Sequence, residues 1–191
     1  MRFNYNIEIL GKSYDLDNNI LNLSDQLLGN DGIYELSEKI VYKAMIESLF
    51  LIQNNIYDES LKQLLNSLKI IDSIKELDLS YNFINGDCFD YFKDYLLNTK
   101  SLNYLNLSNN NIKEENVLIL CEGIKHNKSL KEINLFNNDL NTKSIKALRD
   151  ALIVNKGIEK VSVNFYTLGL YAAEEFLKIY NYRNALNIIY K

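Results

Sequence analysis

Proline and tryptophan are absent from this chain, and its 191 residues include only two cysteines and one histidine. Without proline, and with 47% hydrophobic residues, the sequence reads as one continuous folded unit and not as two domains joined by a stiff linker. The lone His126 offers no basis for a Ser-His-Asp or Cys-His set, and Cys88 and Cys121 lie in no CxxC pair. No metal and no cofactor are therefore expected. An excess of positive charge is also missing: the formal charge is -4 and the pI near 5.1. That argues against nucleic acid, whose phosphates need a basic field. No apolar run is long enough to span a bilayer. The opening MRFNYNIEIL lacks the apolar core of a secretory signal, so the expected setting is the reducing cytoplasm, with no membrane role.

Motifs that mimic chemistry fall away on inspection. Gly11-Lys12-Ser13 resembles the end of a phosphate-binding loop, but Asn6 stands where that motif needs its first glycine. The acceptor-like triplets at Asn22, Asn106 and Asn127 lack a secretory route. His126 is expected in a surface turn.

What is present is a repeat. IKELDLSYNFI from Ile74, LNYLNLSNNNI from Leu102 and LKEINLFNNDL from Leu130 overlie one another at a spacing of 28 residues. The same step reaches Asn18, Ile46 and Ile158, and finally Leu186, where LNIIYK begins a seventh unit. The fourth and sixth places hold Leu21/Leu23, Leu49/Leu51, Leu77/Leu79, Leu105/Leu107, Ile133/Leu135 and Val161/Val163. Such alternation is the signature of a strand buried on one side. The ninth place holds Asn54, Asn82, Asn110 and Asn138 between Gln26 and Tyr166, as expected if each Asn bonds the neighbouring turn in a stacked ladder. Later in each unit the period changes. Small or polar Gly32, Ser60, Cys88, Asn116, Ser144 and Ala172 are followed four residues on by Leu36, Leu64, Phe92, Leu120, Leu148 and Phe176. Ile40, Leu68, Leu96, Ile124, Leu152 and Tyr180 come four later again, completing one stripe of an amphipathic helix.

A unit of LxxLxLxxNxL plus a helix resembles the ribonuclease-inhibitor-type leucine-rich repeats, a family also represented in tropomodulin-like proteins, Ran GTPase-activating proteins and innate-immune receptors. The resemblance spans residues 18–180 and departs at Tyr166, in the absence of tryptophan and in the small number of units. It implies an α/β class fold, a right-handed leucine-rich-repeat solenoid (horseshoe arc) with parallel strands on the concave face and helices on the convex face. The expected divisions are an N-terminal cap over 1–17, in which Phe3, Tyr5, Ile7 and Ile9 alternate before a hairpin turn, six repeats over 18–185, and a terminal strand stub over 186–191. Strands stack about 4.8 Å apart and helices roughly 8–10 Å apart, which bends such an array and puts the strands inside.

The third, fifth and seventh places alternate with the buried pair and are expected on the inner face. Large apolar groups there, Phe50, Ile52, Tyr104 and Phe136, are candidate anchors for a partner. Phe50 and Ile52 could instead be covered by the cap. Glu76, Asp78 and Glu132 supply carboxylates to steer a basic partner, or form a merely solvated face, with Asn106 and Asn134 beside them. The leading expectation is a non-enzymatic module, monomeric, that binds a protein partner on its concave face. The alternatives are a GTPase-activating protein using Asn109 and Asn137, and an assembly element pairing through its last strand.

Overall fold

A computed structural model describes residues 6–164, 169–180 and 186–190; Phe3, Tyr5 and Tyr166, and the side chains of Ala172 and Tyr180, lie outside the described residues. The chain opens with a hairpin, β1 (Asn6–Ile9) antiparallel to β2 (Lys12–Asp15). Leu10 and Gly11 take φ of 50° and 72°, the paired left-handed turn that suits the twist of a hairpin. A second tight turn follows at Asn18 and Asn19, φ 50° and 67°, and closes with two backbone hydrogen bonds between Asp17 and Ile20. Asn18 therefore turns the chain into β3 (Ile20–Asn22), whereas the first-place residues of later units, Ile46 to Ile158, are buried. The hairpin is pinned to α1 (Gly29–Ile40): Leu10 N–H donates to Glu35 Oε2 at 2.7 Å and Lys39 Nζ to the Glu8 carbonyl at 2.7 Å.

Strands and helices then alternate as β4 (Ser48–Phe50), α2 (Asp58–Ile71), β5 (Glu76–Asp78), α3 (Phe89–Asn98), β6 (Tyr104–Asn106) and α4 (Glu114–His126). The series continues with β7 (Glu132–Asn134), α5 (Thr142–Val154), β8 (Lys160–Val163), α6 (Gly169–Tyr180) and β9 (Asn187–Tyr190). The result is an α/β fold with a seven-stranded parallel sheet whose order, β3 to β9, is the order of the sequence. Helix contacts follow suit, each helix meeting the one before and the one after it. From β3 to β8 each strand pairs with residues 28 further on, Ile20 opposite Ser48 and Glu132 opposite Lys160. The last step is different. Lys160 lies opposite Asn187, a step of 27 where 28 was expected. The shorter step sets Ile188 and Tyr190 against the buried Val161 and Val163, whereas a step of 28 would have aligned Lys191 with Val163.

The period-two columns form the core: every fourth- and sixth-place residue from Leu21 to Val163 is at most 1% exposed. The helix columns Leu36, Leu64, Phe92, Leu120 and Leu148, and Ile40, Leu68, Leu96, Ile124 and Leu152, are fully buried beside them. α3 is the exception in size, since it buries Phe89, Phe92 and Tyr95 together. Its neighbours compensate. At the place of Tyr95, α2 has Ser67 and α4 has Gly123, where an added Cβ would stand 3.0 Å from Leu96 Cβ and 3.1 Å from Lys93 Cα.

Two polar ladders stitch the units. Asn82 donates to the carbonyls of Leu51 (3.0 Å), Leu79 (3.0 Å) and Ser80 (3.1 Å), while its Oδ1 accepts from Asn54 N–H and Ile56 N–H at 3.0 Å each. Asn54, Asn110 and Asn138 repeat this pattern in their own units. A second ladder, unforeseen from the sequence, lies where helices return to strands. Asn127 reaches the Leu96 carbonyl (2.7 Å) and Asn155 the Ile124 carbonyl (2.6 Å). One unit earlier, Asp72 accepts from Thr99 Oγ1 (2.7 Å) and Lys100 N–H (3.0 Å). Burial alone would raise the Asp72 carboxyl, but these bonds hold it below its ordinary value. Among the described residues no helix is long and apolar enough to cross a membrane.

Candidate functional site

The two faces of the sheet differ. One carries the buried columns; on the other, the third-, fifth- and seventh-place residues of β4, β7 and β8 remain partly exposed, as does the third-place Tyr104 of β6. Phe50, Ile52, Tyr104 and Phe136 all lie on this second face, half-buried. The described strands of the hairpin contact α1 and β3 and make no contact with β4, the strand of Phe50. The four side chains do not form one patch. Three strand spacings, about 14 Å, separate β4 from β7, with Tyr104 between them on β6.

Tyr104 is the centre of the polar cluster. Burial raises its phenol above the ordinary value, the Asp78 and Glu132 carboxylates add to this, and a hydrogen bond with Asn134 works against it. Beside it a depression of ≈ 330 Å³ is lined by Lys75, Glu76, Asn103, Tyr104, Lys131 and Glu132. The structure thus brings Glu76, Asp78, Tyr104, Glu132 and Asn134 together, as the column pattern suggested.

Two of the expected contact residues are not free. Asp78 and Asn106 are each only 8% exposed. Asn106 Nδ2 donates to Asp78 Oδ2 (2.8 Å), and Asp78 Oδ1 accepts from Ser80 N–H (2.9 Å) and Ser80 Oγ (2.6 Å). The cause is local. Asn22, Asp78, Asn106 and Asn134 each accept the N–H two residues on, a turn made by a short Asx side chain. The fifth place therefore ends the strand as much as it faces outward. The acidic face shrinks further, because Glu132 pairs with Lys160 at 2.8 Å. Glu76 remains exposed, touching Ser48 Oγ at 3.2 Å.

Asn109 and Asn137 adopt left-handed φ of 54° and 53°, as do Asp25, Gln53 and Tyr81 at the same eighth place. Asn tolerates that conformation, and Asn137 Nδ2 donates to Asn109 Oδ1 at 2.7 Å. His126 is exposed and ends α4 instead of sitting in the following turn. Among the described residues no group of three or more His, Cys, Asp or Glu is placed to hold a metal ion. Burial pushes both thiols up, that of Cys121 to about 12, and Asp58 adds to the shift at Cys88. Since the thiolate is the reactive form, a thiol-titrating disulfide reagent is expected to find neither cysteine in the native protein and both after unfolding. Rapid native labelling of either would contradict the packing of α3 and α4.

One group of exposed side chains was not anticipated. Tyr57 and Phe83 stack with ring centroids 5.1 Å apart at 17°, on the loops that carry β4 and β5 into their helices, and exposed Tyr81 precedes Phe83 by two residues. The sequence did hold a signal: the eighth and tenth places are polar in the neighbouring units, as Gln53, Asn109, Asn55 and Asn111.

No protein-family model matches the chain, and no curated protein matches it. Among solved structures, one titled "Leiomodin-1 Actin-Binding Site 2 (ABS2)" is similar with a TM-score of 0.51 at 14% identity, covering 87% of this chain and 83% of that one. At that identity the likeness is one of fold.

Proposed function

We propose that the chain is a leucine-rich-repeat solenoid of the ribonuclease-inhibitor type, a non-enzymatic module that holds a protein partner on the open face of its sheet. The observation that carries this reading is the uncovered face itself. Parallel sheets are ordinarily covered on both sides, yet here Phe50, Ile52, Tyr104 and Phe136 stay partly exposed along one of them. Pairing each strand only with its sequence neighbours, while helices pack at a wider spacing, supports a bowed array with strands inside. Such a surface, roughly 30 Å long for seven strands, suits a protein better than a metabolite.

Aromatic anchoring outweighs charge steering in this reading, since Asp78 and Glu132 are already engaged within the chain. Nucleic acid and membrane are not among the proposed partners, and the module acts as a monomer in the cytoplasm without a cofactor. The likeness to an actin-binding site carries no partner across, being one of fold alone. No observation favours a GTPase-activating role.

The test is a Tyr104→Ala/Phe136→Ala double variant used beside the wild type in affinity capture from the source cell. Partner capture is expected to be lost, while stability falls by roughly 1 kcal/mol or less per site, as for substitutions outside a core. Retained capture, or a collapse of stability, would remove the open face from the account.

A further inference from the structure

The loops that lead β3, β4 and β5 into α1, α2 and α3, taken with the first residues of α1 and α2, span residues 25–31, 53–59 and 81–87. Their charges are Asp25, Asp31, Asp58, Glu59 and Asp87, with no lysine or arginine. Helix starts favour carboxylates, which accounts for Asp31, Asp58 and Glu59 in the first turns. It does not account for the aromatics. Tyr57, Tyr81 and Phe83 are 49%, 55% and 41% exposed in the middle of this rim. Tyr81 also holds a left-handed φ of 57°, unfavourable for a bulky residue. In the next unit the corresponding places are Asn109 and Asn111. Packing therefore does not demand rings at these places.

Lys62, from the second turn of α2, spans Glu59 (2.9 Å) and Asp87 (2.8 Å), and Asp58 accepts from Gly86 N–H (3.0 Å). These bonds fix the loops against one another, and five carboxylates against the one Lys62 ammonium leave the rim with a net negative charge. Exposed rings on segments that also carry carboxylates match one chemistry closely: a guanidinium lies flat on an aromatic face while its N–H groups donate to a neighbouring carboxylate. We propose that the Tyr57–Phe83 stack and Tyr81 form a second docking surface, apart from the open sheet face, for an arginine-bearing segment of a protein partner. An anionic segment is repelled there, and a lysine segment gains the charge attraction without the planar stacking.

The experiment is a titration of the full ¹⁵N-labelled chain with a synthetic Gly–Arg repeat peptide and a Gly–Lys peptide of equal length, at about 0.15 M salt. The variant is Tyr81→Asn/Phe83→Asn, which installs the residues the following unit carries at those places and so keeps the loop conformation. Amide shifts are expected to cluster in 53–59 and 81–87, with the arginine peptide binding several-fold tighter than the lysine peptide. The variant is expected to weaken the arginine peptide roughly tenfold, the loss of two exposed ring contacts, with the rest of its spectrum unchanged. Equal binding of both peptides, indifference to the variant, absence of binding, or shifts centred on Tyr104 would each overturn the proposal. The Tyr104→Ala/Phe136→Ala variant reads the sheet face separately: its loss of capture with retained rim binding, or the reverse, tells the two surfaces apart.

Discussion

Replacing Asn82 with Ala is expected to lower the unfolding free energy by about 3–5 kcal/mol, because several buried backbone groups lose their partners at once and each costs about 1–3 kcal/mol. The side chain is 4% exposed and serves five backbone groups, three carbonyls and two N–H groups, in two successive units. At about 2–4 °C per kcal/mol for a chain of this size, the melting temperature falls by roughly 6–20 °C. Asn82→Asp tests the mechanism: it restores an acceptor for Asn54 and Ile56 but turns a carboxylate toward the Leu51 and Leu79 carbonyls, so it rescues little. Hydrogen exchange supplies a second readout, with the amides of Asn54 and Ile56 expected to lose protection before those of β7. A variant as stable as the wild type would mean that the ladder is ornamental.

Phe92→Ala is expected to cost about 3–5 kcal/mol, the usual range for emptying a buried aromatic site. Phe92 is fully buried, with its ring centroid 5.4 Å from that of Phe89. Four of the other units place Leu36, Leu64, Leu120 and Leu148 at this position, and the sixth Phe176, so Phe92→Leu gives the milder loss. The comparison is informative because α3 is shorter than its neighbours and fills its share of the core with rings. If Phe92→Leu were as damaging as Phe92→Ala, shape and not volume would govern this layer. Denaturant unfolding with matched slopes separates the outcomes.

The sheet order and the core were legible because two periods coincide. An alternation of two can satisfy only a one-sided strand, and the i, i+4, i+8 stripe only a helix. The ladder of Asn54, Asn82, Asn110 and Asn138 was legible too, since a polar column amid buried ones needs a backbone partner. Legibility failed where a side chain had a choice. Asp78 and Asn106 alternate correctly for the open face, but a short Asx side chain at a strand end turns back to the N–H two residues on. Glu132 lost its freedom to Lys160 across the strand, a pairing visible only once the columns are read side by side. In β9, adjacent Ile188 and Ile189 offer two equally apolar alternations, and the register took the one that sets Ile188 opposite Val161 and Tyr190 opposite Val163.

The Asn ladder has a direction. Asn82 Oδ1 satisfies N–H groups that belong to the preceding unit, as Asn54 Oδ1 does for Gln26 and Leu28. A chain emerging from the ribosome therefore never completes its newest turn by itself; the donors there stay wet until the following stretch of polypeptide arrives. Growth from the amino terminus becomes a relay, in which each segment finishes the one made before it and exposes unfinished donors of its own.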